Sequence, residues 1–430
     1  MSERLLTGRC GGFARRRRTR EDPQMRIPSP GETIRMVRAL PPGSLLLERL
    51  DLTEPVYLVG GAVRDLLLGL RPLDLDLVIE GDSGAFARKL DPDARVHGRF
   101  GTATFTLNGY VYDIARARAE LYPRPGALPE VEAADLSRDL LRRDFTVNAL
   151  AVALGGAEPG ELVAAPLALE DLDARRLRVL YERSFIDDPT RLFRLVRYAT
   201  RLAFAIEERT AALAAAAVTS EALRTVSGPR IGTELRLLAR EEDPVAAISA
   251  LDEFALGGAL HPSFGIADRE LARRALDLLP ADGRRDLVTL AAATIALPDA
   301  DLAGFLDRLG FEARERDVIA RAASTAGALA DALDEARSPS EIAAAVGAAS
   351  PEAVALAGAF GPAAKATEWL DELRHVRLEI DGSDLVAAGL ARGPQIGLAL
   401  RAALAAKLDG SAPDRESQLA RALQAARASG

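Results

Sequence analysis

The stretch Tyr57-Leu-Val-Gly-Gly-Ala-Val-Arg-Asp65, followed by Leu73-Asp-Leu-Asp-Leu77, constrains the fold more than any other part of the 430-residue chain. An apolar run, a glycine pair, a short amphipathic segment and a second apolar run give the order strand, turn, helix, strand. The expected elements are a strand at 56–59, a helix at 62–68 stopped by Gly69, and a strand at 73–80. Alternation along that second strand puts Asp74 and Asp76 on one face and Leu73, Leu75 and Leu77 on the other. Two carboxylates side by side repel each other unless a cation lies between them. Hard oxygen donors beside phosphate-binding features favour Mg²⁺.

Gly60 and Gly61 permit close backbone approach and offer N–H groups to a phosphate, with a helix start behind them and Arg64 adding a positive charge. Ser83 is the expected cap of a helix running to residue 90. Asn108-Gly109 joins two β-rich runs as a two-residue hairpin. Asp113 falls on its return strand, within reach of the Asp74/Asp76 edge as a third carboxylate. Residues 121–131, rich in Pro and Gly, read as a mobile loop, and a helix and a short strand follow between 136 and 154.

Two further constellations carry chemistry. In Arg142-Arg-Asp-Phe-Thr-Val-Asn-Ala149, Arg143 can fork onto a phosphate, while Asp144 and Asn148 can orient a ribose or an arginine. A bland reading makes this a charged helix start capped by Asp144 or Thr146. In Asp187-Asp-Pro-Thr-Arg-Leu-Phe-Arg-Leu-Val-Arg197, Asp188 suits an N-cap and Pro189 a first helical turn. Arg191, Arg194 and Arg197 then recur every third residue as a drifting stripe. Asp188 can accept from an exocyclic amine and Arg191 can donate to ring acceptors. The bland alternative is a solvated basic face.

Composition narrows the setting. The chain is too long for one ordinary core, so two to four domains are expected. Beyond about residue 171 strand signals fade and helical periodicity continues to the end. It is broken near Gly228-Pro229, His261-Pro262, Pro280, Ser338-Pro339, Gly361-Pro362 and Gly393-Pro394. Cys10 is the only cysteine, which excludes a disulfide framework and a cysteine zinc site within one chain and fits a reducing cytoplasm. No apolar run is long enough to span a membrane. Residues 1–40 read as a disordered N-terminal extension, with the Arg15–Arg18 run a candidate RNA contact and Met25 a candidate start. The net charge of −8 excludes a uniformly basic RNA-coating protein and allows a local basic groove.

Taken in order, these segments resemble the class II tRNA nucleotidyltransferase family, which includes bacterial poly(A) polymerases. The resemblance rests on Gly60-Gly-Ala-Val-Arg-Asp65, Asp74-Leu-Asp76, His97-Gly-Arg-Phe-Gly-Thr-Ala-Thr104, Tyr122-Pro-Arg-Pro-Gly-Ala-Leu-Pro129, Arg142–Ala149 and Asp187–Arg191. It implies α/β plus all-α architecture: a polymerase-β-like nucleotidyltransferase head (41–175), then helical neck (176–250), body (251–350) and tail (351–430). It further implies addition of C and A from CTP and ATP to tRNA 3′ ends without a nucleic-acid template. Asp74 and Asp76 would hold Mg²⁺, with Asp113 completing a catalytic set. Gly60, Gly61, Arg64, Arg143, Asp144 and Asn148 would meet the nucleotide. Asp188 and Arg191 would read its base, with Arg194 and Arg197 along the same site. The loop around 116–131 would help switch nucleotide choice.

Two departures from the family pattern stand out. Asp187 replaces the usual Glu, and residues 163–172 lack the Asp-Pro and Gly-Gly of many members. The second bears on whether the chain adds CCA, CC or only A. The alternatives are a poly(A) polymerase, which the mixed-charge end (409–430) disfavours, and a catalytically silent binder of structured RNA.

Overall fold

The computed structural model describes residues 25–428 except Leu52, Leu73, Arg99 and Phe100. The expected tail up to residue 24, with Cys10 and Arg15–Arg18, lies outside these. The described residues divide into two compact units. One runs to Arg230 and includes Glu253–Ala259, and the other comprises Ile231–Asp252 and the described residues from Leu260 onward.

The first unit opens with α1 (Pro30–Arg38) and α2 (Pro41–Arg49). The expectation of disorder to residue 40 is therefore corrected. Glu32 accepts from the Ser29 N–H at 2.8 Å, Pro30 supplies the first helical φ, and Thr33 and Val37 are buried. There follow β1 (Val56–Val59), α3 (Gly61–Leu67), β2 (Asp76–Ile79), α4 (Ser83–Leu90), β3 (Arg95–His97), β4 (Thr102–Leu107), β5 (Tyr110–Arg116), β6 (Arg118–Leu121), β7 (Glu130–Ala133), α5 (Leu136–Leu141), β8 (Leu150–Ala153), β9 (Leu162–Ala164), α6 (Ala168–Asp173), α7 (Ser184–Asp187) and α8 (Arg191–Leu202).

Seven strands form one mixed sheet in the order β3-β4-β5-β2-β1-β8-β9. β2 pairs in parallel with β5, and the other neighbours are antiparallel. Asn108 (φ 45°) and Gly109 (φ 85°) make the expected left-handed turn of the β4–β5 hairpin. Phe105 and Tyr112, directly paired across it, stack at 5.1 Å, and the Tyr112 hydroxyl donates to the Pro42 carbonyl of α2. Leu58, Leu77 and Ile114 bury the inner face.

Three local expectations change. β2 begins at Asp76, so Asp74 lies on the approach to the strand and strand alternation does not align the two carboxylates. Asp82, not Ser83, caps α4 by accepting from the N–H groups of Gly84 and Ala85, while the Ser83 hydroxyl donates to the Gly101 carbonyl. Finally, residues 122–129 of the expected mobile loop are a loop, joining β6 to β7, but its tip is pinned. The Gly126 N–H donates to the Asp187 carbonyl and Arg230 donates to the Gly126 carbonyl at 2.8 Å. Gly126 has φ +68° and an added Cβ would lie 2.1 Å from Thr225 Oγ1, so only glycine fits that approach.

The second unit is built from helices alone among its described residues. Its proline and glycine breaks mark helix starts, as at Ser338, whose hydroxyl caps Pro339–Val346, and at Gly393 before Pro394–Leu408. Helix Ala313–Glu335 buries Ile319, Ala322, Ala326, Leu329 and Leu333, a stripe at helical spacing. The last three helices enclose a small core of Ile380, Leu385, Ala399, Ala403, Ala422 and Ala426. Among the described residues, no single helix is long and apolar enough to cross a membrane.

Candidate active site

The acidic edge forms where β2 and β5 run in parallel, because that register sets Asp76 directly opposite Asp113. Asp113 accepts from the Thr104 hydroxyl at 2.5 Å. Asp76 is exposed to solvent, at the edge of a buried strand whose atoms partly desolvate its carboxyl group. That desolvation pushes its pKa up; Arg143 counteracts it, and the charges of Asp113 and Asp74 push it further. Carboxylate oxygens of like charge, as on the paired Asp76 and Asp113, are the donor type that a hard divalent cation takes. Among the described residues, no group of three His, Cys, Asp or Glu side chains is drawn together tightly enough to form a metal cluster unaided.

Beside this edge, β1 ends in the glycine pair. Gly60 adopts φ +71°, and an added Cβ would stand 2.9 Å from Arg143 Nη1, so the missing side chain lets that guanidinium settle over the turn. The Gly60 N–H donates to the Leu150 carbonyl and so is not free for the phosphate expected there.

Arg64 is 2% exposed and is turned inward. Its Nε and Nη2 donate to Asp65 Oδ1 at 2.8 and 2.7 Å, and its Nη1 donates to Asn148 Oδ1 at 2.5 Å. Asn148 Nδ2 donates to Asp144 Oδ1 at 3.0 Å, and Asp144 Oδ2 accepts from Arg194 Nε at 2.7 Å. Burial raises the Asp144 pKa, but Arg194, Asn148 and Arg191 outweigh it and hold the carboxyl well below the usual range. The expected cap at Asp144 or Thr146 is not formed: the 3₁₀ turn Thr146–Asn148 has Phe145 at its N-cap. Arg64, Asn148, Asp144 and Arg194 thus form a chain of hydrogen bonds that links α3, the 3₁₀ turn and α8.

The helix carrying the arginine stripe starts two residues later than expected. Thr190 is the N-cap of α8, and Asp188 ends α7. Asp188 Oδ1 accepts from the Thr190 N–H and hydroxyl and from Arg230 Nη2, at 3.1, 2.6 and 2.8 Å. Arg191 is 4% exposed; its Nη1 donates to Ser184 and the Arg143 carbonyl, and its Nη2 to the Arg142 carbonyl at 2.7 Å. Its Nε lies 4.0 Å from Asp188 Oδ2. The stripe is therefore not a solvated face.

Several residues of this arrangement were not singled out in the sequence. Tyr198 sits with the guanidiniums of Arg64, Arg194 and Arg197 at 5.2, 5.7 and 5.1 Å from its ring centroid. Tyr198 follows Arg194 by four residues, so helical spacing places it on their face. Asp65, next to Arg64, and Asp139, three and four residues before Arg142 and Arg143, were open to a local reading, whereas Arg230 carries no comparable signal, because Asp188 and Gly126 are far from it in sequence.

Leu162–Ala164 is an ordinary edge strand, and Leu167 beyond it takes a left-handed φ of 65° before α6, a conformation glycine adopts without strain. Asp171 of that segment is buried and accepts from the Thr146 hydroxyl and Arg178 Nε. His261 packs edge-on against Phe305 in the second unit, as a packing histidine would.

A family model described as the poly A polymerase head domain matches residues 56–178. An A-adding tRNA nucleotidyltransferase of Geobacter sulfurreducens is 33% identical over 86% of this chain and 45% of its own length. The chain spans half or less of the A-adding relatives it matches. A CC-adding tRNA nucleotidyltransferase of Deinococcus radiodurans is 34% identical over 80% of this chain and 82% of its own. Among solved structures, the Thermotoga maritima CCA-adding enzyme complexed with tRNA(CCA) superposes with a TM-score of 0.70 at 29% identity, covering 92% of this chain and 98% of that one.

Proposed function

The chain belongs to the tRNA nucleotidyltransferase and poly(A) polymerase family, and from that premise we propose that it adds C, A or both from CTP and ATP to tRNA 3′ ends. The observation that carries this is the register of β2 and β5, which sets Asp76 against Asp113 beside the Gly60 turn and its overlying Arg143. The 3′ hydroxyl attacks the α-phosphate, a new phosphodiester forms, the α–β bridge breaks and pyrophosphate leaves.

The chain's own contribution is positioning and charge placement. Arg143 and the N–H groups from Gly61 onward meet the phosphates. Asp188 Oδ2 and Arg191 Nε form an acceptor–donor pair; cytosine and adenine both present an amine beside a ring nitrogen, which such a pair matches. Arg194 and Arg197 add positive charge along the same face, while Arg64, Asp144 and Asn148 support it from behind. Asp74 and Asp76 would hold Mg²⁺, with Asp113 next to them; the ion would acidify the attacking hydroxyl and offset charge on the leaving pyrophosphate. The head, neck, body and tail divisions at 41–175, 176–250, 251–350 and 351–430 are retained as the functional plan, and the cytoplasm as the place of work.

Incubation with CTP alone, ATP alone and both, on tRNAs lacking CCA, CA or A, tests this reading. Labelled extension of at least one tRNA is expected, and the pattern assigns CCA, CC or A addition. No incorporation on any of the three would reject the enzyme reading, and long adenylate tails on unstructured RNA would replace it with poly(A) polymerase.

A further inference from the structure

Asp139 has no exposed surface, yet two arginines are fastened to it. Its Oδ1 accepts from Arg142 Nε and Nη2 at 3.0 and 2.7 Å and from the Arg118 N–H at 3.2 Å. Its Oδ2 accepts from Arg143 Nη2 at 2.9 Å. Each arginine therefore has its own oxygen. Burial alone would raise the pKa of this carboxyl group; the charges and hydrogen bonds of Arg142 and Arg143 prevail and hold it below the usual range.

The two arginines lead in opposite directions. Arg142 Nη1 donates to Glu120 Oε1 of β6 at 2.7 Å, and Glu120 also takes Arg118 and the Tyr122 hydroxyl at the base of the hairpin tip. Arg143 leads to the glycine turn, with Nη1 over Gly60. Its Nε is buried without a hydrogen-bond partner, and the bond to Asp139 is the one its side chain makes among the described residues. A long side chain with one tether has its direction set by that tether.

We propose that Asp139 is a positioning residue that aims Arg143 at the phosphate end of the nucleotide and ties that aim to the hairpin through Arg142 and Glu120. It rests on the reading that Arg143 meets the nucleotide's phosphates. Asp139 lies four residues before Arg143, so the end of α5 already brings the two side chains to one face. Loosening Asp139 affects what CTP and ATP share, the triphosphate, and leaves base choice alone.

A double-mutant cycle tests this on the full chain, with KM for CTP and ATP and inhibition by pyrophosphate as readouts. Asp139→Asn is expected to raise KM for each accepted nucleotide by roughly tenfold and to weaken pyrophosphate inhibition in parallel. The ratio of CTP to ATP use stays unchanged. In an Arg143→Ala background the same change adds nothing further, because the aimed group is gone. Asp139→Glu keeps the charge and displaces it by one methylene; it carries the cycle if thermal melts show that the Asn variant does not fold. An unchanged KM, or an equal rise in both backgrounds, overturns the positioning role. If Arg143→Ala alone leaves KM unmoved, the reading of Arg143 falls first and the role of Asp139 with it.

Discussion

Arg64 Nη1 donates to Asn148 Oδ1 at 2.5 Å, joining residues 84 positions apart. Each was expected to meet the nucleotide, and each instead holds the other, so that α3 is locked to the 3₁₀ turn behind the acidic edge. Breaking a buried charge network by removing one partner costs about 3–5 kcal/mol. Arg64→Ala should therefore lower the urea midpoint strongly as well as reduce turnover. Unchanged stability with activity alone reduced would show that Arg64 serves the ligand directly.

Asp74→Asn and Asp76→Asn should each abolish incorporation, by roughly 10³-fold or more, if they hold the ion that stabilises the developing charge. tRNA affinity, measured by filter binding, should survive. Near-normal turnover in both variants would remove the metal assignment. Asp113→Asn tests whether the residue opposite Asp76 belongs to the same set, and retained activity there would confine the site to two carboxylates.

Gly60→Ala meets two obstacles at once, a left-handed backbone and Arg143 Nη1 at 2.9 Å from the new Cβ. Strain of about 1–2 kcal/mol is expected in the thermal melt, since an alanine pays that conformational penalty here. Displacement of Arg143 should raise nucleotide KM in addition. A folded variant with normal KM would mean that the turn tolerates the shift without moving the guanidinium.

Arg230 bridges Asp188 Oδ1 and the Gly126 carbonyl, and under the proposed reading Asp188 Oδ2 is then the oxygen that would meet a base. Arg230→Gln should increase misincorporation of UTP and GTP relative to CTP and ATP, by roughly tenfold for one misplaced polar contact. Gly126→Ala, which unseats the hairpin tip while sparing Asp188, separates the two functions of the clamp. Fidelity unchanged in both variants would dismiss the hairpin from nucleotide choice.

Asp144 has its pKa held down in the folded protein, chiefly by Arg194 against the opposing effect of burial. The sign follows: its stabilisation is complete above its unfolded pKa of about 4 and is lost as pH falls below that toward the folded value. Wild type should therefore lose stability more steeply than Asp144→Asn between about pH 5 and pH 3, as read by urea midpoints. Parallel slopes would mean that this carboxylate is not the one being protonated.

Much of this is legible in the amino-acid sequence. The strand at Val56–Val59, the Asn108-Gly109 hairpin and the proline-led helices rest on local backbone preferences, which a few residues decide. The loop within 121–131 is legible from its Pro and Gly, but its anchoring is not, because the tip is held by Thr225, Asp187 and Arg230, residues that composition cannot connect to it. The same holds for the start of β2, where pairing with β5 begins at Asp76 and leaves Asp74 outside.

By itself the sequence determined the kinds of groups present, namely a glycine turn, an acidic pair and arginines at helical spacing, together with the order of elements carrying them, because turns and periodicities are short-range properties. Only the tertiary structure decided which charges stay exposed and which are bonded internally. An arginine's partners are chosen by what packs beside it, and Arg64 and Arg191 find theirs, Asn148 and the Arg142 carbonyl, on elements that the chain brings together only when it folds.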